Sequence, residues 1–327
     1  MQPFEPHPWL RNRDLMTLAA SKMPRRYPRL PQPVDRLFQV EPETQMLGHC
    51  FWQAQARECA TLLMVHGLEG STSSSYMRGT AEKAWVAGFN VVLVNQRNCG
   101  GTEHLSPTLY NSGLSGDYRA VVTELIERDG LPEIFCCGYS MGGNLILKMA
   151  GEMGGAAPPQ LRGVFAVCPS LDLAACADAL HETRNAFYEW HFVRNLKKRY
   201  KRKVQLYPDK FRLDGVDGVR SVREFDDLIT APYCGYGDAA TYYDRASAIR
   251  VTGQIQAPTE ILTAADDPFI PVGPFQQPAI TANRNIALTV TRHGGHCGYI
   301  SCYQGPQRFW AEARIVEFCR SRSAFTA

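Results

Sequence analysis

Six short runs of mostly consecutive apolar residues recur along the chain, each closed by turn residues. They are ATLLMVHG (60–67), NVVLVNQRN (90–98), EIFCCGYS (133–140), LRGVFAVCP (161–169), APTEILTAADD (257–267) and NIALTVTRHGG (285–295). Runs without polar alternation mark strands covered on both faces, as in a parallel sheet. Between them the apolar spacing changes to that of helices over 77–89, 115–130, 141–152 and 307–322. Strands alternating with helices predict an α/β architecture, a mostly parallel sheet with helices on both faces and right-handed crossovers. An earlier run, ETQMLGHCFWQ (43–53), alternates apolar and polar residues and is expected as an antiparallel edge strand.

Residues 172–245 break this rhythm. They hold helical patterns such as DLAACADALHETRNAFYEWHFVRNLKKRYKRK and no core strand, yet they fall between two strands of the sheet. The expected organisation is one domain over 1–327 with a helical cap, 172–245, inserted after the strand that follows the 141–152 helix. Such a cap would cover the carboxyl edge, where open α/β sheets bind ligands. The chain shows no internal repeat.

The segment CCGYSMGGN sets Ser140 between Gly138 and Gly142, where a strand is expected to turn into a helix. A tight turn of this kind presents the serine Oγ clear of the sheet, and the amides opening the next helix face any oxyanion formed there. Ser140 is therefore the candidate nucleophile. A serine hydroxyl needs a base to take its proton, and the base needs an acid to hold its tautomer. Acid candidates follow the strand at 257–265, in Asp266-Asp267-Pro268-Phe269-Ile270-Pro271, and base candidates follow the last strand, as His293 and His296 in HGGHCGY. Asp267, four residues before Pro271, is preferred to Asp266, which is assigned to loop support; Asp172, just past the strand ending at Cys168-Pro169, is the rival acid. His296 is preferred to His293 because Gly294 and Gly295 leave room for its ring to reach the serine. The loop HGLEGS after the first strand offers one main-chain donor for an oxyanion, Leu68, and the residue after the nucleophile, Met141, offers the other. His66 and Glu69 are read as packing and loop residues.

Taken together, PWLRNRDLMT, HGLEGSTSSSYMRG, NQRNCGGTEHLSPTLYNSG, GYSMGGN, AADDPFIP and HGGHCGY resemble the YheT-like branch of the α/β-hydrolases, whose relatives include mammalian abhydrolase-domain lipases and yeast medium-chain ester synthases. The resemblance spans most of the chain and implies the α/β-hydrolase fold, with a triad falling on Ser140, Asp267 and His296. It also implies hydrolysis of carboxylic esters, small or lipid, without a cofactor or metal. Two motifs depart from the relatives' pattern: Arg97-Asn98-Cys99-Gly100-Gly101 stands where they often carry Arg-Gly-Cys-Ser-Gly, and Arg13-Asp14-Leu15-Met16-Thr17 where they show His-Leu-Gln-Thr. Two other functions share the scaffold, an alcohol acyltransferase using the same acyl enzyme and a non-catalytic binding protein.

Composition narrows the partners. A formal charge of +3 gives no basis for nucleic-acid binding, and 45% hydrophobic with 20% charged residues is ordinary for a folded globular chain. The eleven cysteines include no CxxC pair and no zinc spacing, so a reducing, cytoplasmic setting is expected. Charge is concentrated in RNLKKRYKRK (194–203), with seven basic residues in ten. That run reads either as a solvated cap helix or as a peripheral contact for anionic lipid headgroups. Aromatic residues Phe187, Tyr188, Trp190 and Phe192 beside it read as packing or as part of an acyl pocket.

Overall fold

The computed structural model describes residues 2–325. Eight strands form one sheet: β1 (Val34–Glu41), β2 (Thr44–Phe51), β3 (Thr61–Val65), β4 (Asn90–Val94), β5 (Ile134–Tyr139), β6 (Leu161–Val167), β7 (Thr259–Ala264) and β8 (Ile286–Thr291). Their order across the sheet is β1-β2-β4-β3-β5-β6-β7-β8. From β4 to β8 the pairing is parallel, and β2 runs antiparallel to both β1 and β4. The four strands β3, β4, β5 and β7 are buried at every residue, which accounts for their mostly apolar sequences. At the β8 edge every residue is partly or fully exposed.

The 43–53 segment is antiparallel as expected, but it is not the edge. β1 covers it, pairing Val34 with Cys50 through Glu41 with Thr44. The VDRLFQVE sequence of β1 exposes most of its residues and buries only Phe38, so its apolar pattern is too weak to announce a strand; the pairing with β2 defines it.

The helices are α1 (Arg13–Lys22), α2 (Ser75–Val86), α3 (Ser115–Glu127), α4 (Met141–Met153), α5 (Leu173–His181), α6 (Ala186–Leu206), the short α7 (Val222–Phe225), α8 (Ala231–Tyr233), α9 (Ala239–Ala246), α10 (Pro278–Thr281), and α11 (Trp310–Arg320). α2 packs with α11 and α3 with α4. α4 is buried around nearly its whole circumference, as its mostly apolar sequence allows, and so forms a rigid support immediately behind Ser140.

Among the described residues, everything between β6 and β7 is helix or loop. This stretch builds its own apolar cluster from Val193, Leu196, Tyr200, Phe211, Phe225 and Ile229. The inner face of α6 ties it to the body. Arg199 pairs with Glu69, and the Lys203 ammonium donates to Asn98 Oδ1 at 2.8 Å, to the Glu103 carbonyl at 2.9 Å and to the Ser106 carbonyl. Three members of the basic run, Arg199, Arg202 and Lys203, are thus committed to contacts with the body, Arg202 through Glu103.

Candidate active site

The carboxyl ends of five neighbouring strands converge above α4. β3 leads into His66–Glu69, β5 into Ser140, β6 into Cys168–Ser170, β7 into Asp266–Asp267, and β8 into His293–His296. Ser140 occupies a left-handed backbone conformation, φ 55° and ψ −120°, at the N-cap of α4. A non-glycine residue rarely adopts this geometry, and here surrounding hydrogen bonds hold it: the Ser140 amide donates to Val167 O at 2.8 Å, and the Asn144 amide donates to Ser140 O at 3.1 Å. The flanking glycines are needed for contact distance. A Cβ on Gly142 would collide with the carbonyls of Val65 and His66, and one on Gly138 with the Gly142 carbonyl.

The structure brings His296 and Asp267 together. Nδ1 of His296 lies 2.8 Å from Oδ2 of Asp267, whose side chain is fully buried. The other carboxylate oxygen of Asp267 accepts from the amides of Phe269 (3.1 Å) and Ile270 (3.0 Å), which fixes its orientation. Since Nδ1 faces an acceptor-only carboxylate it carries the ring's proton, leaving Nε2 as the basic nitrogen. His296 and Ser140 line the same cavity, and Phe269 packs against the imidazole at 4.2 Å between ring centres.

The alternative residues have other partners. Asp266 binds His293 Nδ1 at 3.1 Å and the Gly295 amide at 2.9 Å, bracing the loop that carries His296. Asp172 caps α5 by accepting from the Ala175 amide at 3.1 Å. His66 is buried; its Nε2 accepts from the Gln96 amide at 3.1 Å, so its Nδ1 donates to Gly67 O at 2.8 Å. Burial pushes this imidazole down to about 4, so it is neutral at ordinary pH and holds the turn between β3 and the following loop.

Leu68, Ser140 and Met141 line the same cavity. Met141 opens α4, so its amide has no acceptor within the helix. Glu69, next to Leu68, has a φ of 58° and is held by Arg199 and by the Tyr110 hydroxyl. The Gly67 amide donates to the Tyr76 hydroxyl at 3.0 Å.

Several contributors carry no local sequence signal. Thr17, on α1, accepts the His296 amide at 2.9 Å and donates to Arg13 O at 2.8 Å, so the N-terminal helix fixes the histidine loop. Cys168 and Cys297 bring their sulfurs to within 4.8 Å of each other and of a His296 ring nitrogen. Burial pushes the Cys297 thiol well above its ordinary value.

Two cavities meet at Ser140. One, of about 130 Å³, lies beneath the β6–β7 insertion and is lined chiefly by apolar side chains, among them Leu173, Leu180, Leu196, Phe225 and Ile270. The other, about 360 Å³, opens between α1 and α6 past Leu18, Phe187 and Tyr188.

Residues 60–301 match the family described as the alpha/beta hydrolase fold. The chain is 33% identical over 267 residues to the putative esterase YheT of Escherichia coli K12, covering 81% of this chain and 78% of that protein. It is 29% identical to mouse phospholipase ABHD3 over 73% of this chain and 58% of that longer protein. The Pyrococcus furiosus esterase Pf2001 has the same fold, with a TM-score of 0.59, 17% identity and coverage of 89% of this chain and 93% of that one. Strand order, the GxSxG turn and these similarities agree: the chain belongs to the α/β-hydrolase superfamily, in the esterase- and lipase-like branch that includes YheT.

Proposed function

We propose that the protein is a serine carboxylic ester hydrolase working through an acyl enzyme on Ser140. The observation that carries this reading is the 2.8 Å pairing of His296 with a buried, saturated Asp267 on the cavity that also holds the strained Ser140 turn. Ser140 Oγ attacks the ester carbonyl while His296 Nε2 takes its proton, and Asp267 stabilises the imidazolium. The Leu68 and Met141 amides hold the tetrahedral oxyanion. Collapse of that intermediate breaks the ester C–O bond, with His296 returning the proton to the departing alcohol. Water, deprotonated by the same nitrogen, then attacks the acyl serine and releases the acid.

The insertion acts as a cap in this scheme. The apolar cavity beneath it takes the acyl chain, and the cavity between α1 and α6 admits the ester and releases the alcohol. Lipid esters are the favoured substrate class, because relatives are named as a phospholipase and, in Saccharomyces cerevisiae, a monoacylglycerol lipase. Labelling the full chain with a fluorophosphonate probe and mapping the adduct by peptide mass tests the assignment. A single adduct on Ser140 is expected; an unlabelled Ser140 in folded protein contradicts the reading.

A further inference from the structure

α6 carries two faces with different work. Its inner face, with Glu189, Arg199 and Lys203, is committed to contacts with the body and the neighbouring loops. Its outer face presents Phe187, Trp190, His191, Arg194 and Lys198; Phe187 and Trp190, Trp190 and Arg194, and Arg194 and Lys198 lie three or four residues apart and so on one side of the helix. Phe187 and Trp190 are 61% and 55% exposed, with ring centres 6.3 Å apart, and the Arg194 guanidinium sits 5.5 Å from the Trp190 ring centre. Among the described residues, Arg194 and Lys198 have no ion-pair partner, and this row contains no acidic residue.

α1 extends the patch. Tyr188 donates to Asp14 at 3.0 Å, which docks the start of α6 on α1, and α1 exposes Leu15 (54%) and Leu18 (36%). Leu18 and Phe187 stand on the rim of the cavity that leads to Ser140 and His296. Exposed aromatic and aliphatic side chains therefore border the entrance, and unpaired cations continue along the same helix. Side chains of this kind partition into the headgroup zone of a bilayer, where anionic lipid attracts the cations.

We infer that the outer face of α6 and the exposed face of α1 form a docking surface for an anionic lipid bilayer, bringing the cavity mouth to the headgroup level. The inference rests on the esterase reading for its purpose but not for its test, which uses the full-length chain carrying Ser140→Ala. This protein is sedimented with vesicles of phosphatidylcholine alone, or with about one third phosphatidylglycerol, at low and at high salt. Binding to the anionic vesicles that falls with salt is expected. Arg194→Glu/Lys198→Glu is expected to weaken it at least about tenfold, and Trp190→Ser to weaken it at both salt levels.

Arg194→Glu/Lys198→Glu in the Ser140-containing chain should leave hydrolysis of a water-soluble ester unchanged, showing that the fold is intact. Should Trp190→Ser fail to fold, Arg194→Gln/Lys198→Gln carries the test, because both side chains are surface groups. Absence of vesicle binding, or binding that these substitutions do not alter, overturns the inference. A dimer in solution that Trp190→Ser dissociates also overturns it, by showing that a second copy covers this face.

Discussion

The Arg199 guanidinium, on α6 of the insertion, grips the Glu69 carboxylate through hydrogen bonds of 2.9 and 3.1 Å and also donates to the Asn98 carbonyl. Glu69 follows Leu68, so a residue of the β6–β7 insertion restrains the loop from which an oxyanion donor is proposed to come. Arg199→Met would leave a buried carboxylate without its cation and free that loop. We expect kcat to fall roughly 10- to 100-fold with KM changed much less, the loss expected when a transition-state donor is misplaced. Glu69→Gln added to Arg199→Met should recover part of the loss by removing the stranded charge. Steady-state kinetics on a soluble ester decide it, and an unchanged kcat in Arg199→Met would show that the link is structural only.

Thr17 gives a second test, at the far end of the chain. Its hydroxyl accepts the His296 amide, so Thr17→Val keeps the shape and leaves that amide unsatisfied, at a cost of ~1–3 kcal/mol. The expected result is a lower kcat together with a lower melting temperature, and Thr17→Ser should restore both. If Thr17→Val matched the wild type in kcat, α1 would not be holding the histidine loop.

The sequence patterns point to the candidate triad more plainly than to the residues around it. Ser140, Asp267 and His296 each follow an apolar run, and because all those runs are parallel strands their ends fall on one edge. Loop chemistry then separated Asp267 from Asp266 only by spacing; the structure separates them by partner, His296 for one and His293 for the other. Thr17 lies 279 positions from His296 and belongs to no periodic signal pointing there; only the PWLRNRDLMT block hinted that the N-terminus mattered. The run at 194–203 illustrates a different limit. A count of charges treats its seven basic residues alike, whereas helical phase turns Arg199 and Lys203 inward and Arg194 and Lys198 outward. β1 is faint in the sequence for a related reason, since a strand held mainly by its neighbour carries little pattern of its own.

Asp226 yields a pH-dependent prediction. An unfolded aspartate titrates near 3.8, and burial in the cavity wall, against hydrogen bonds from Thr230 and Tyr243, lifts this one to about 6. The stability it contributes is complete below pH 3.8 and is lost as the pH rises through 6. Asp226→Asn imitates the neutral acid and can still accept from the Tyr243 hydroxyl, now at 2.8 Å. It should exceed the wild type in stability near neutral pH by ~1–2 kcal/mol, the full gap being reduced because this carboxyl borders a cavity. Urea unfolding across the acid range should show the advantage shrinking to nothing below pH 3.8. Parallel stability curves for the two proteins would refute this.

Gly142 tests the Ser140 turn itself. A methyl there would strike the carbonyls of Val65 and His66, so Gly142→Ala must push α4 away from β3. We expect a loss of several kcal/mol in stability and of nearly all esterase activity. Activity and unfolding measured together check it, and a stable, fully active variant would mean the turn is less tightly packed than described.

The most direct measurement is turnover of a p-nitrophenyl acyl ester by purified Ser140→Ala beside the wild type, with circular dichroism confirming an unchanged fold. The wild type should hydrolyse the ester and Ser140→Ala should be slower by roughly a million-fold. Hydrolysis by Ser140→Ala at the wild-type rate would contradict the account.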